Sequence, residues 1–157
     1  MKSFKVFIVL VLAGFMSACS APSYKGAPIS DSTLGSNPEI VIVKDSETKE
    51  GFLDTIKQWL TKNGYGYEVK PDDSKHDLEK MTIEYVGHWK WDLALYLSQA
   101  EVEAFYKGQR VGEVNYTAAN NLNFNKFSNA EERIEYMLDV LFGKLTPAEA
   151  TARINEK

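Results

Sequence analysis

Two histidines, one cysteine and 22 acidic residues are the groups with which this chain could do chemistry, and their spacing supports little. His76 lies in an acidic stretch with Asp72, Asp73 and Asp77, and His88 lies in an apolar run. Neither belongs to an H-x-x-x-H or H-E-x-x-H arrangement, and a zinc site needs at least three converging donors. The Asp-rich stretch lacks the ordered oxygen ligands and glycine of a calcium loop, so it reads as a solvated turn. No G-x-S-x-G elbow raises a serine for attack, and no glycine-rich loop could cradle phosphate. Glu101, Glu103 and Glu113 fall on a predicted solvent face, where nothing would lift a carboxyl pKa toward neutrality. The expectation is a non-enzyme, with no metal site and no cofactor.

Aromatic and amide groups offer a different chemistry, recognition. In "GHWKWDLALYL", Gly87 to Leu97, Trp89 has the parity of a covered sheet face, whereas Trp91 sits near a predicted corner beside Tyr96. An exposed Trp91 and Tyr96 could stack on a sugar ring or a partner side chain. The segment "NYTAANNLNFNKF" adds Asn120, Asn121, Asn123 and Asn125, whose amides suit glycans or a peptide edge. Its other reading is a plain connection pinned by Leu122, Phe124 and Phe127.

Cys19 is the one residue with a specific chemical context. Before it, Lys2 and Lys5 form a positive start, and Val6 to Phe15 form an apolar run broken only by Gly14. That run is too short to span a hydrocarbon core of ~30 Å as a permanent helix, so residues 1–18 read as an export leader. The closing Met16, Ser17, Ala18 and Cys19 resemble the lipobox of bacterial lipoproteins. The resemblance implies cleavage before Cys19 by the lipoprotein signal peptidase, a diacylglycerol on its sulfur and acylation of the new amino group. Ser20, rather than aspartate, follows the cysteine, which by the family's sorting rule implies the outer membrane. Acylation would also consume the chain's only thiol, which an oxidising compartment would otherwise leave reactive.

The remaining sequence fits one body on that anchor. Residues 19–37 are expected to form the acylated cysteine and a flexible linker, because Ser20 to Asn37 is rich in Ser, Pro, Gly and Ala and lacks apolar periodicity. Its 18 residues would give a reach of roughly 23 Å. Residues 38–157 suit a single domain. Loss of Lys2 and Lys5 with the leader moves the formal charge from -4 to -6, which gives no reason to expect nucleic acid or anionic lipid as a partner of the body's surface.

Periodicity predicts the elements that position these residues. Ile40 to Val43 reads as a buried strand. Phe52, Leu53, Ile56, Trp59 and Leu60 stripe a helix over about 49–62 that stops at Asn63 and Gly64. Tyr65, Tyr67 and Val69 alternate as a strand. From Met81 the odd-numbered residues are apolar past Trp91, too long a run for one strand in so small a domain, so a turn or bulge is expected between Trp91 and Ala94 with Asp92 at the corner. Residues 100–106 then pair with 110–116 across Lys107 to Gln109. Ser128 with Glu131 opens a helix striped by Ile134, Met137, Leu138, Leu141 and Phe142, and Thr146, Pro147 and Glu149 open a short last one. The predicted class is α+β: about five mainly antiparallel strands with two amphipathic helices on one face, in the order β-α-β-β-β-β-α-α.

The domain also looks similar to small uncharacterised proteobacterial envelope lipoproteins in "WDLALYL" and "GQRVGEVNY", a likeness that implies no activity. The expected function is a non-catalytic interaction or accessory module of an envelope assembly, held by its lipid on the periplasmic face of the outer membrane and joined to a protein partner. The alternative is a small-ligand or glycan-binding lipoprotein using Trp91, Tyr96 and the Asn loop.

Overall fold

The computed structural model describes residues 21–119 and 129–156, so the expected export leader, Cys19 and the Asn120–Asn125 segment lie outside the described residues. The chain is α+β, as expected. Its elements are β1 (Ser23–Ala27), α1 (Asp31–Gly35), β2 (Ile40–Val43), α2 (Glu50–Lys62), β3 (Tyr67–Lys70), β4 (Met81–Asp92), β5 (Ala94–Tyr106), β6 (Gln109–Thr117), α3 (Ala130–Leu141) and α4 (Pro147–Asn155). Six strands form one sheet in the order β1-β6-β5-β4-β2-β3. β2 runs parallel to both its neighbours and the other pairs are antiparallel, so the sheet is mixed.

The apolar stripes make the layers. Phe52, Ile56 and Leu60 of α2 and Ile134, Met137, Leu138 and Leu141 of α3 are buried in one core with Ile40, Ile42, Ile83, Val102 and Val114 of the sheet. The α2 and α3 helices also touch each other, where Trp59 Nε1 donates to Asp139 Oδ1 at 3.0 Å. Helix α4 starts as its sequence dictates. Thr146 Oγ1 accepts from Glu149 N–H, the Glu149 carboxylate accepts from Thr146 N–H, and Pro147 takes the first turn. The bonds that the Glu149 carboxylate accepts from the Thr146 N–H and hydroxyl hold this carboxyl below its ordinary pKa. For α3 the observed cap is Asn129, whose side chain accepts from Glu131 N–H; Ser128 lies outside the described residues.

The β5–β6 register is the predicted one at Ala104–Gly112, Val102–Val114 and Ala100–Tyr116. Its turn is shorter than expected. Tyr106 pairs with Gln109, leaving Lys107 (φ 53°) and Gly108 (φ 76°) as a two-residue turn with both central residues left-handed, and a register shift at Ala104/Phe105 restores the inner pairs.

The flexible-linker expectation is corrected over its described part, residues 21–37. Residues 23–27 are a sheet strand, Tyr24 and Ile29 are buried, and Ile29 N–H donates to Leu141 O at 2.8 Å. Two buried apolar side chains and a full ladder to β6 offset the ordering entropy that composition suggested could not be repaid. Gly26 enables the approach: at φ 139° a Cβ there would lie 2.0 Å from Glu113 O. The predicted order therefore gains a leading strand and a short helix.

Candidate functional site

Every sequence-predicted recognition residue within the described chain belongs to the β4–β5 hairpin. Its stem is core: Met81, Ile83 and Tyr85 face the helices, with Tyr85 stacked on Phe52 at 4.9 Å. Trp89 closes that core half-buried, edge-on to Phe52 at 6.4 Å with Lys49 Nζ 5.8 Å from its ring centroid. Past His88 the ladder slips by one residue, so that Trp89 pairs with Leu97, Trp91 with Leu95 and Asp92 with Ala94. The corner expected between Trp91 and Ala94 falls on Leu93, at φ 61°, rather than on Asp92.

The structure does not bring Trp91 and Tyr96 together. Adjacent ladder pairs point to opposite faces, and Trp91 pairs with Leu95 while Lys90 pairs with Tyr96. Trp91 is 74% exposed and Tyr96 only 7%. What the tip presents instead is Trp91, Leu93 and Leu95, with Leu93 76% and Leu95 50% exposed. Sequence reasoning passed over Leu93 and Leu95 because their parity continues the buried stem. The signal that could have exposed them was length: the hairpin outruns its helices and neighbouring strands.

The titratable groups form structural pairs. Glu84, Glu103 and Glu113 sit side by side across β4, β5 and β6. Arg110 Nη1 joins Glu103 at 2.5 Å and Glu113 at 2.7 Å, and His76 Nε2 lies 2.7 Å from Glu84 Oε1. The guanidinium is thereby held above its ordinary pKa, first by the Glu103 hydrogen bond. His76 also packs against Phe105 at 4.6 Å. Asp72 accepts from the Ser46 hydroxyl and N–H and from Asp73 N–H, which lowers its pKa and ties the acidic turn to the loop after β2. Among the described residues no cluster of three or more His, Cys, Asp or Glu could hold a metal, and no helix is long and apolar enough to cross a membrane.

The two sheet edges differ. On β1, Tyr24 N–H donates outward to Thr151 Oγ1 of α4 at 3.0 Å, and α4 covers that edge. Among the described residues β3 has no outer neighbour. Lys70 O accepts from Lys44 N–H at 3.0 Å, so by the two-residue period Glu68 and Lys70 bond inward while the backbone groups of Tyr67 and Val69 face out. At the N-terminal ends of β2 and β3 is an open recess of about 480 Å³, lined by Pro38, Ile40, Tyr65, Tyr67, Glu68 and Lys80 among others.

No family model matches the chain, and no curated protein matches it. Among solved structures it is similar to a variant of PelC from Paraburkholderia phytofirmans, determined as a dodecamer, with 9% identity and a TM-score of 0.46 over 82% of this chain and 97% of that one.

Proposed function

We propose that the protein is an outer-membrane lipoprotein, acylated at Cys19, whose body is a non-catalytic accessory module of an envelope assembly. A protein partner docks by adding a strand to β3. The observation that carries this reading is the asymmetry of the edges. β1 is closed by α4, whereas β3, with no outer neighbour among the described residues, offers outward backbone groups at Tyr67 and Val69. An uncovered edge is a template for strand addition, in which main-chain hydrogen bonds supply affinity and side-chain pockets supply specificity. Val69, 39% exposed, is the apolar contact such a partner would meet.

Val69→Pro tests the docking mode. It deletes an outward N–H while leaving the inward bonds of Glu68 and Lys70 in place, and proline is tolerated on an edge strand. A photo-crosslinker at Tyr67 in living cells should give a reproducible protein adduct, which Val69→Pro abolishes with little change in melting temperature. An adduct unaffected by the proline would place the partner elsewhere. Mass spectrometry of the mature N-terminus tests the anchor separately: a free thiol at Cys19 would end the lipoprotein reading.

A further inference from the structure

One row of residues crosses four strands and fixes the end of the sheet at which the chain enters. Ser23 pairs with Thr117, Thr117 with Gln99 and Gln99 with His88. Strand β1 runs away from this end, since Ala27 pairs with Glu113, so the chain preceding Ser23 departs here. Asn155 Nδ2 donates to Pro22 O at 3.1 Å and fixes the point of departure. Strands β4 and β5 continue past the same row, on the same side, to Leu93.

The heights agree. Four residue steps separate Ser23 from Cys19, a reach of at most ~14 Å. Five steps separate His88 from Leu93, ~17 Å in a strand. Laterally, β1 and β4 are separated by three strand spacings, ~14 Å. The exposed apolar tip, Trp91, Leu93 and Leu95, with exposed Lys90 on its flank, thus projects from the end of the sheet at which the chain enters, by a distance comparable to the longest reach from Ser23 to Cys19. Indole and leucine side chains flanked by a lysine suit the boundary between headgroups and acyl chains.

We propose that the β4–β5 hairpin tip is a second membrane contact, inserting into the leaflet that holds the Cys19 acyl chains and fixing the tilt of the body on the bilayer. The proposal rests on acylation of Cys19, as read above, and its occupant is lipid rather than protein or sugar. Two attachment points in one leaflet would hold the sheet upright, where a single anchor would leave it free to swing.

The test uses the full mature protein, reconstituted in phosphatidylethanolamine/phosphatidylglycerol vesicles containing brominated acyl chains, with mass spectrometry of the same sample. Bromine near the headgroup end should quench emission more than bromine near the terminal methyl, and Trp91→Phe should remove that depth-dependent share. A Leu93→Glu/Leu95→Glu variant, altered only at exposed positions, should fold normally and lose the quenching of Trp91. Equal quenching in wild type and Trp91→Phe, with Cys19 acylated, overturns tip insertion and leaves the anchor standing. An unacylated Cys19 overturns both. A photo-crosslinker at Leu95 that labels protein rather than lipid in cells also overturns the proposal.

Discussion

The stem and the tip of one hairpin carry the same alternation of apolar residues and meet opposite fates. Met81, Ile83 and Tyr85 are buried under α2, while Trp91, Leu93 and Leu95 stand in the open. Nothing in side-chain chemistry separates the two sets. The difference is coverage: no described strand flanks β4 or β5 beyond the Ser23–Thr117–Gln99–His88 row. An apolar parity therefore identifies a face, and the neighbouring elements decide whether that face is core or contact surface.

The broadest way to break the core that covers the stem is alkali. Burial raises the Tyr85 and Tyr116 hydroxyls from 10.0 to about 12. A folded-state pKa raised above the unfolded value gives stability that is fully present below pH ~10 and lost as pH climbs through the folded value. Absorbance of tyrosinate should therefore rise together with the loss of circular dichroism, between about pH 10 and 12. Ionisation of all tyrosines with the fold intact would contradict that coupling.

Truncation separates the two regions directly. Ile83→Ala, in the packed stem, should cost about 2–5 kcal/mol in urea denaturation, whereas Trp91→Ala at the tip should stay within about 0.5 kcal/mol despite deleting a larger side chain. Equal losses would mean that the tip is covered. Gly87 sharpens the boundary. A Cβ there would lie 2.6 Å from Trp89 Cζ3 and 2.9 Å from Phe52 Cδ2, so Gly87→Ala should force the half-buried indole outward. The expected loss is about 1–3 kcal/mol, with red-shifted tryptophan emission. The smallest effect belongs to the apex: Leu93 at φ 61° holds a conformation costly for an L-residue. Leu93→Asn should stabilise the protein by about 0.5 kcal/mol, and a loss in thermal melts would show that leucine's packing matters there.

Much of the scaffold was legible. The Thr146–Pro147–Glu149 cap, the α2 and α3 stripes and the inner β5–β6 register follow from local spacing, and the structure has all three. Strand β1 was not legible. "SYKGA" buries one side chain, and its pairing with residues 113–117 appears nowhere in its own composition. The proposed Trp91–Tyr96 platform failed for a related reason: a one-residue slip between His88 and Trp89 settles which side chains share a face, and sequence does not mark the slip.

The sequence by itself determined the α+β class, the limits of α2 and the start of α4, and the stripes that build one core, because capping and periodicity act over a few neighbouring residues. It also supplied the Cys19 context on which the anchoring proposal rests. Only the tertiary structure decided that β1 closes against β6 under α4, that among the described residues β3 is left as the open edge, and that Trp91, Leu93 and Leu95 are exposed at the end where the chain enters. Those outcomes depend on contacts between residues far apart in the chain, whose pairing free energy no local pattern records.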